Sequence, residues 1–434
     1  MTDTSSSPTA ADFCAIDFGT SNSAIGIACA QQGMRLVPLE DGRLTMPTAV
    51  YYFAEGKHDA EGPPRAFGRA ALQAYVAGHS GRLMRSMKSI LGSELYEHST
   101  DVGSGRGVRY ADMLTGYLKQ LKRRAEAVHG APLTRAVLGR PVFFVDDDPV
   151  RDATAQQQLE DAARAAGFSE LAFQFEPIAA AFDYERQVSA EQYVLVADIG
   201  GGTSDFSVVR VGPQRREQLQ RREDILASHG VHIAGTDFDR HIELAAVLPA
   251  LGYKALGPSG REVPSKIYFD LATWHLINTC YNPQRVLELR NMKSFYADVR
   301  QHARLMTLLS EQLGHELAQQ AEDAKIASAQ SAAEVPISLD LIESGLEVLL
   351  RPQQTEQALG ADIARIATAA QECVRMAGLA PEQIGALYCT GGSTGLPALV
   401  QALHAPFPQA RLVQGDAFAS VAAGLALHAK RVFA

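Results

Sequence analysis

The sequence contains little that would mark a secreted, disulfide-bonded or membrane-spanning protein. Only five of its 434 residues are cysteine, and none has the spacing of a zinc site or of a Cys-x-x-C pair. No stretch approaches the ~18 consecutive apolar residues that span a bilayer. The N-terminus lacks the basic start and apolar run of a signal peptide. We therefore expect a cytoplasmic protein in which most cysteines are buried free thiols.

Positive charge is also scarce. The chain carries 40 Lys and Arg residues against 49 Asp and Glu, which gives a formal net charge of −9 at pH 7. Its densest basic stretch, KQLKRR at 119–124, is short and is typical of a solvated helix face. The composition therefore argues against a nucleic acid or an anionic membrane as the main partner.

Predicted strands and helices alternate along the rest of the chain, which favours an α/β architecture. Residues 1–12 are rich in Ser and Thr and predict a disordered tail. Apolar and alternating runs predict strands through 13–53, 135–144, 171–175, 193–211 and 386–390. Helical periodicity predicts helices over 68–92, 111–129, 151–168, most of 241–330, 356–377, 396–404 and 417–431.

Two distant segments share one pattern. FCAIDFGTSNSAIGIA at 13–28 and VLVADIGGGTSDFSVVR at 194–210 each run through an apolar strand, Asp, an apolar residue, Gly and soon Thr. Each then returns to a strand-like alternation, so each predicts a β-hairpin. A single Gly-rich turn after an Asp is most often only a turn. Two hairpins of one design predict an internal duplication whose two tips face one another.

The tips have the composition of a phosphate site. Glycine and small hydroxyl residues let backbone N–H groups approach an anion closely. The Asp at the base of each tip, Asp17 or Asp198, can hold a hydrated divalent cation, because Mg²⁺ prefers carboxylate oxygen and retains waters. The GGGT sequence is followed by a strand-like run, and neither GxGxxG nor Gly-Lys-Ser/Thr occurs there. The pattern therefore indicates neither a Rossmann nor a Walker A site.

A third glycine-rich turn lies late in the chain, in LYCTGGSTGLPALVQAL at 387–403. A predicted strand passes through Gly391 and Gly392 into a helix that begins near Leu396. Backbone N–H groups and the positive end of that helix would lie beside a ligand. As the third member of the set, this turn predicts a base or ribose site.

The two hairpins, the segment EPIAAA at 176–181 and the GGST turn, in this order, resemble the ATPase domain of the DnaK-type, seventy-kilodalton heat-shock chaperones. That family belongs to the actin-like ATPase superfamily. The resemblance covers about 13–240 and 320–434, and it is closest to the short YegD-type members, which share a longer helical region. It implies an α/β fold of two lobes, each with a ribonuclease-H-like βββαβα core and an inserted subdomain.

The resemblance also implies where the two lobes lie in the chain. Lobe I is expected at 13–192 and 417–434, with an inserted subdomain at about 45–125. Lobe II is expected at 193–416, with a largely helical inserted subdomain at about 240–320. No substrate-binding domain is expected, because the family's apolar linker, β-sandwich and helical lid are not found after the helix at 417–434.

Roles for single residues follow from the resemblance, with ATP or ADP and Mg²⁺ as the implied cofactors. Asp17 and Asp198 would hold Mg²⁺ through water, Glu176 would position the attacking water, and Thr203 would lie near the γ-phosphate. The implied reaction is phosphoryl transfer to water by positioning and charge stabilisation. The implied nucleotide contacts are two phosphate loops, a ribose-contacting helix and an adenosine turn: Gly19, Thr20, Ser21 and Asn22; Gly200, Gly201, Gly202 and Thr203; Glu322 and Lys325; and Gly391, Gly392 and Ser393.

Two further positions concern the coupling of the family's nucleotide state, and two others are departures from the family. Pro141 and Arg151 match its proline switch and partner arginine. The family's catalytic lysine follows a Gly-x-Ala-Ala pattern, and in GRAALQ at 68–73 the matching residue is Leu72. Losing that cation would lower the rate by orders of magnitude and leave binding nearly intact. The nearby Arg69 and Lys88 could not be placed. The arginine that often stacks on adenine is Gly395 here, which removes a cation–π partner worth ~0.5–2 kcal/mol.

The sequence leaves several functions open. The first is a chaperone-like protein that binds Mg²⁺·ATP, hydrolyses it slowly and opens and closes its lobes with nucleotide. The second is a nucleotide-gated interaction module without significant turnover, which would bind a protein partner or client through the helical segment near 250–320. A small-molecule kinase of the same superfamily and an actin-like filament are further, weaker alternatives.

Overall fold

The computed structural model describes residues 11–29, 33–57, 62–102, 107–331, 333–415 and 420–434. Most of the predicted tail, residues 1–10, lies outside the described residues, as do residues 417–419 of the predicted last helix. The end of that tail is ordered, contrary to expectation. Asp12 accepts hydrogen bonds from Thr134 Oγ1 at 2.7 Å and from Arg135 Nε at 2.9 Å. This pairing anchors the start of the first strand.

A six-stranded mixed sheet forms the first half of the fold, which we call lobe I. Strands β1 to β3 are antiparallel, β10 and β11 add in parallel beside β1, and β4 pairs with β2. The strands are β1 (Phe13–Phe18), β2 (Asn22–Cys29), β3 (Gly33–Leu36), β4 (Thr45–Pro47), β10 (Arg135–Arg140) and β11 (Glu170–Phe175). The helices of lobe I are α2 (Tyr110–His129), α3 (Pro149–Ala165), α4 (Glu176–Glu185) and α12 (Ser420–Phe433).

A five-stranded sheet forms the second half, lobe II, and it repeats the first sheet. Its order is β14–β13–β12–β17–β18, where β12 to β14 are antiparallel and β17 and β18 add in parallel. The same order and directions occur in β3–β2–β1–β10–β11, so the duplication predicted from the two hairpins is confirmed. The strands are β12 (Gln192–Ile199), β13 (Ser204–Val211), β14 (Ile225–Val231), β17 (Ile384–Thr390) and β18 (Arg411–Gln414), and the helices are α5 (Gly235–Ile242), α9 (Gly314–Gln330), α10 (Pro352–Met376) and α11 (Pro397–His404).

The central strand of lobe I is apolar because both faces of its sheet are covered. Alternate side chains of a strand point to opposite faces. Ile16 and Phe18 therefore pack into the core formed with α2 and α3, whereas Phe13 and Ala15 pack against α4 and α12. Asp17 is half-buried at the end of this strand, next to the hairpin tip. Asp17 thus lies where the strand leaves the core, although it belongs to an apolar run in the sequence.

Helices α4 and α12 join the two lobes at their base. Their buried side chains form one apolar cluster with residues of β12 and β13. Gly424 of α12 has no room for a side chain, because a Cβ atom there would overlap the carbonyl of Ala179 in α4. The two helices therefore pack backbone to backbone.

Each lobe carries an inserted segment. That of lobe I contains a three-stranded sheet and a small hairpin, and that of lobe II is mainly helical. The elements in lobe I are β5 (Ala49–Phe53), β6 (Arg65–Phe67), α1 (Arg69–Val76), β7 (Gly81–Arg85), β8 (Ser99–Asp101) and β9 (Gly107–Arg109). Those in lobe II are α6 (Lys266–Leu271), α7 (Pro283–Asn291) and α8 (Val299–Ser310), followed after α9 by the hairpin β15 (Val335–Ser338) and β16 (Glu347–Leu350).

The prediction of a continuous helical region over 68–92 was wrong. Helix α1 ends at Val76, and Gly78 then turns the chain with a positive φ of 68°. Strand β7 follows and pairs with β5, and a short 3₁₀ turn, Met87–Ile90, comes next. The cross-strand pairing of β7 outweighs the local helical periodicity, and it places Lys88 in a turn.

The inserted segments touch each other. Trp274, the only tryptophan in the sequence, stacks on Tyr75 with ring centroids 5.0 Å apart. The Arg85 guanidinium lies 4.1 Å from the centroid of the same indole ring. No helix among the described residues has both the length and the apolar character needed to cross a membrane.

Candidate functional site

The two hairpin tips lie against each other. A Cβ atom added to Gly201, in the tip between β12 and β13, would lie 3.3 Å from the Oγ atom of Ser21, in the tip between β1 and β2. Asp17 and Asp198 occupy matching positions at the ends of β1 and β12. The fold therefore brings together the two glycine-rich turns and the two acids singled out in the sequence.

The tip of lobe II is fixed through its carbonyl groups. Gly200 O accepts hydrogen bonds from Gly235 N at 3.2 Å and from Ser393 Oγ at 2.7 Å. Gly201 O accepts from both the backbone N and the Oγ1 of Thr236, at 2.8 and 2.7 Å. The N–H groups of Gly201 and Gly202 have no acceptor among the described residues. In this tip the carbonyl groups are bonded within the protein, whereas the N–H groups are available to a ligand. Such an arrangement is typical of an anion-binding site.

The tip of lobe I depends on a residue that sequence reasoning missed, Thr48. Its Oγ1 donates to Gly19 O at 2.8 Å and lies 2.8 Å from Ser23 Oγ, and its backbone N donates to Ser21 O at 2.9 Å. Asn22 is the first residue of β2 and pairs with Pro47 of β4. Buried Thr48 therefore orients this tip, and the N–H group of Thr20 has no acceptor among the described residues.

The acids at the tips carry poorly compensated negative charge. Desolvation in the cleft, with the charges of Glu176 and Asp198, raises the pKa of Asp17 to about 8. Desolvation, with the charges of Asp205 and Glu176, raises the pKa of Asp198 to about 7. Such shifts mean that the ionised forms lack enough positive partners. A hydrated divalent cation between these acids would supply that positive charge.

Lys88 supplies a cation in this cleft, although the sequence could not place it. Its Nζ atom lies 2.6 Å from Glu176 Oε1, and the two side chains are only 10% and 17% exposed. Burial disfavours the charged ammonium, but the ion pair with Glu176 and the charges of Asp17 and Asp205 together outweigh it, so the pKa of Lys88 is raised. Its charge also acts on Asp17 and Asp205.

Leu72, at the expected position of the family's lysine, and Arg69, the other nearby cation, make other contacts. Leu72 packs into the apolar cluster of the inserted segment, beside Ala71 and Ala74. Arg69 forms an ion pair of 2.8 Å with Glu40 and donates to Thr45 O at 2.8 Å. Of these three residues, Lys88 is the one bonded to Glu176.

Thr203 lies at the end of the lobe II tip, and its Oγ1 donates to Asp205 Oδ2 at 2.8 Å. Asp205 is the second acid of the repeated segment, directly opposite Asp198 in the register of β12 and β13. The sequence analysis did not single out Asp205, although it is the last residue of the segment GGGTSD. Asp205 orients the Thr203 hydroxyl in the structure.

The remaining predicted nucleotide contacts lie on lobe II. Lys325 of α9 is paired with Asp239 of α5, which belongs to the GTDFD segment. Desolvation raises the pKa of Asp239 to about 6, while Lys325 opposes that shift and the charge of Glu322 adds to it. Glu322 and Lys325 therefore belong to one charged cluster.

The late glycine turn is bonded directly to the lobe II tip. Gly391 has a positive φ of 89°, and a Cβ atom there would overlap the carbonyl of Ile199, so only glycine fits. Gly392 begins the short 3₁₀ turn, and Ser393 makes the bond to Gly200 described above. A Cβ atom at Gly395 would meet nothing within 4 Å.

Arg151, expected to partner Pro141, makes a different contact. Its Nε donates to Gly92 O at 2.9 Å, in the segment that follows Lys88. The residue beside Pro141, Arg140, pairs with Asp152 at 2.9 Å. The described residues include no group of three or more His, Cys, Asp or Glu side chains arranged to hold a metal ion by themselves.

Comparison with known proteins identifies the family. The family model described as "Hsp70 protein" matches residues 13–246. A Chaperone protein HscA homolog of Pseudomonas paraeruginosa is 32% identical over 260 residues, which cover 57% of this chain and 39% of that protein. The homologs of the same name from Pseudomonas putida and an Azoarcus species are each 27% identical, over 434 and 424 residues.

Those two alignments cover 95% of this chain and 57% of the relatives. The chain thus spans little more than half the length of these curated relatives, all of which are named as chaperones. The likeness to YegD-type members stays a prediction. The two-lobed fold and the match to the family model over more than half of the sequence lead to one conclusion: this chain belongs to the Hsp70 family.

Proposed function

We propose that this chain binds Mg²⁺·ATP between its two hairpin tips and hydrolyses it slowly, as a chaperone-like protein whose lobes open and close with nucleotide. The observation that carries the proposal is the pair of facing tips, each with an acid at its base and with N–H groups that have no acceptor among the described residues. Backbone N–H groups arranged in this way bind the oxygens of a phosphate.

Asp17 and Asp198 are the residues that would hold the magnesium ion, through its water ligands. When bound, the ion would neutralise the charge of the β- and γ-phosphate oxygens. The acids fit this role because desolvation leaves their charges uncompensated, with pKa values of about 8 and 7. A polyphosphate without a metal ion would add further negative charge to this acidic cleft.

Glu176 is the residue that would orient the attacking water. It begins α4 and its carboxylate is already in the cleft, bonded to Lys88. Thr203, oriented by Asp205, would hydrogen-bond near the terminal phosphate. Lobe II would hold the ribose beside Glu322 and Lys325 and the base at the turn from Gly391 to Ser393.

Titration calorimetry with ATP and ADP, with and without Mg²⁺, tests nucleotide binding. We expect both nucleotides to bind and Mg²⁺ to strengthen the binding of ATP, and the absence of binding by either nucleotide would contradict the proposal. Phosphate release by the parent and by Thr203→Ala tests hydrolysis. We expect slower release by the variant. Equal and negligible release by both would leave a binding protein.

A second candidate function is that of a nucleotide-gated interaction module. The observation in its favour is the apolar surface of the helical inserted segment in lobe II, where four large side chains are more than half exposed: Leu256, Leu287, Phe295 and Val299. A partner or client protein would bind there. Tight ATP binding without turnover, together with capture of a partner that depends on nucleotide, would favour this function over hydrolysis.

A further inference from the structure

We propose that Lys88 is the catalytic cation of this chain, which contacts the terminal phosphate during hydrolysis, and that Gln158 of α3 positions it by holding the Gly92 backbone. The inference rests on the proposed function and deepens it. It replaces the family position at Leu72 with a residue from another element of the same inserted segment.

The first argument is electrostatic. Asp17 and Asp198 lie at the ends of β1 and β12 beside the facing tips, and Asp205 lies directly opposite Asp198. The Lys88 ammonium lies 2.6 Å from the Glu176 carboxylate and brings a positive charge to this group of acids. An ammonium group placed among acids next to an anion site stabilises charge that develops on a transferring phosphoryl group.

The second argument concerns Glu176. The Lys88 ammonium is bonded to the Glu176 carboxylate at 2.6 Å. A terminal phosphate that takes over one of the three N–H donors of Lys88 would loosen this bond. Glu176 could then accept a hydrogen bond from water while Lys88 stays beside both groups. One side chain thus links phosphate binding to the release of the carboxylate.

The step that follows is balanced without a further reactant. The water oxygen forms a bond to the terminal phosphorus. The bond between that phosphorus and the bridging oxygen breaks, and its electron pair stays on ADP. The water proton passes to Glu176 and then to solvent, and the products are ADP and inorganic phosphate. Lys88 keeps its proton throughout and contributes only charge.

The third argument is the way the turn that bears Lys88 is held. Gly92 N donates to Gln158 Oε1 at 2.7 Å, and Gly92 O accepts from Arg151 Nε at 2.9 Å. Tyr96 OH donates to the Gln158 carbonyl at 3.0 Å. A Cβ atom on Gly92 would lie 2.7 Å from Arg151 O, so α3 grips this backbone closely.

The turn is also anchored from its own side. Met87 and Leu91 flank Lys88 and are 1% and 2% exposed, in the core of lobe I. Ser86 takes up a left-handed conformation, with φ of 53°, at the start of the turn. A lysine that is flexible at the surface becomes fixed when its backbone is held at both ends, which is what positioning of a catalytic group requires.

Lys88→Met tests the catalytic role, with Lys122→Met as a matched control. Lys122 is also a poorly exposed lysine, 15%, in an ion pair of 3.0 Å with Glu126, but it lies on α2. We expect Lys88→Met to lower the rate of single-turnover hydrolysis about 100- to 1,000-fold. Its ATP affinity should change less than about tenfold. The Lys122→Met control should match the parent in both. If the methionine variant unfolds, Lys88→Gln retains a donor for Glu176 without the charge.

The possible results separate this inference from the proposed function. Hydrolysis by Lys88→Met within about threefold of an active parent would overturn the role of Lys88. A parent that binds ATP and releases no phosphate would overturn the catalytic inference together with the hydrolysis part of the proposed function, and would leave nucleotide binding. A parent that binds no nucleotide would overturn the proposed function itself.

Gln158→Leu tests positioning, since it removes the oxygen that accepts from Gly92, whereas Gln158→Glu keeps an acceptor. We expect the leucine variant to lower kcat about 10- to 100-fold with little change in KM, and the glutamate variant to restore most of the rate. Gln157→Leu, on the exposed neighbour that bonds to Asp161, should have no effect.

A double variant decides whether Gln158 acts through Lys88. In a Lys88→Met background, Gln158→Leu should cause no further loss of rate, because the group that it positions is already absent. A full additional loss in that background, or equal losses in Gln158→Leu and Gln158→Glu, would show a role other than positioning Lys88.

Discussion

The two hairpin tips arise from one repeated pattern, yet they are held in different ways. The tip of lobe II is bonded to α5 and to Ser393, so several elements share the work of fixing it. The tip of lobe I is held mainly by one buried residue, Thr48. The lobes also differ in charge, since lobe I contributes Lys88 and lobe II contributes Asp205.

The difference shows that duplication has kept the backbone of the site and changed its surroundings. Both sheets have the same strand order, and both place an Asp at the end of the central strand. What completes each tip comes from the segments that are not repeated. In the proposed reaction, the cation and the acids would therefore come from different lobes.

Replacing Asp17 or Asp198 should have the largest effect on ATP affinity. The comparison tests whether the two tips are equivalent. We expect Asp17→Asn and Asp198→Asn each to weaken Mg²⁺-dependent ATP binding about 10- to 100-fold, because outer ligands of a metal ion contribute affinities of that size. Calorimetry at fixed Mg²⁺ measures this loss, and Asp340→Asn, on an exposed loop acid, is the control. A loss in only one of the two variants would show that a single tip holds the metal ion.

The hydrogen bonds of Thr48 to the lobe I tip and of Ser393 to the lobe II tip should differ in their contribution to stability. Thr48→Val removes the donor to Gly19 O and one partner of buried Ser23 Oγ, which costs about 1–3 kcal/mol. Ser393→Ala removes one of several bonds to the lobe II tip and should cost about 0.5–1.5 kcal/mol. Urea unfolding and ATP titration measure both effects. Equal effects in the two variants would mean that the lobe I tip has supports besides Thr48.

A gain of affinity is expected at the base site of lobe II. Gly395 has open space around its Cβ position, so Gly395→Arg can be accommodated without displacing a neighbour. A guanidinium over adenine contributes ~0.5–2 kcal/mol, and ATP should therefore bind more tightly by up to roughly 30-fold. Gly395→Gln, a long neutral side chain, is the control. Unchanged affinity in the arginine variant would place the base away from this turn.

The smallest effect concerns two histidines, His315 and His428, which lie close to contacts between the lobes. Desolvation lowers the pKa of His315, beside Tyr75 and Trp274, to about 4. Desolvation also lowers that of His428, in α12, to about 4, with the charges of Arg431 and Arg221 adding to the shift. Both values lie below the ordinary 6.5, so the folded state binds fewer protons than the unfolded chain.

Stability should therefore fall as the pH drops from 6.5 towards about 4 and change little from this cause at higher pH. His315→Asn and His428→Gln should each flatten part of this dependence in thermal unfolding measured across that range. His98→Gln, which changes an exposed histidine, should leave it as in the parent. If stability depends on pH as steeply in His315→Asn and His428→Gln as in the parent, these histidines are excluded as the source of the dependence.

The sequence was informative where function depends on local pattern. The duplicated hairpins predicted the matching sheets, and the strand at 135–144 and the helix at 151–168 appear close to their expected places. These features follow from the periodicity of apolar residues and from glycine in turns. Both depend only on residues that are close together in the sequence. Burial of four of the five cysteines, Cys14, Cys280, Cys373 and Cys389, follows from their apolar surroundings.

The sequence was uninformative where a residue acts over a long distance. Lys88 and Glu176 are 88 positions apart, and Thr48 reaches Gly19 across 29. Neither pairing leaves a spacing or a period that can be counted. Lys88 was further hidden because its segment was read as a helix, whereas strand pairing of β7 turns it into the cleft.

Hydrogen exchange of the backbone amides tests most directly whether two tips close on one nucleotide. The amides of 19–21 and 200–203 should be followed with and without Mg²⁺·ATP, and those of the distant hairpin β15–β16 should serve as the reference. We expect exchange to slow in both tips together and to stay unchanged in the reference hairpin. Protection of one tip alone, or of neither, would contradict a shared nucleotide site between the lobes.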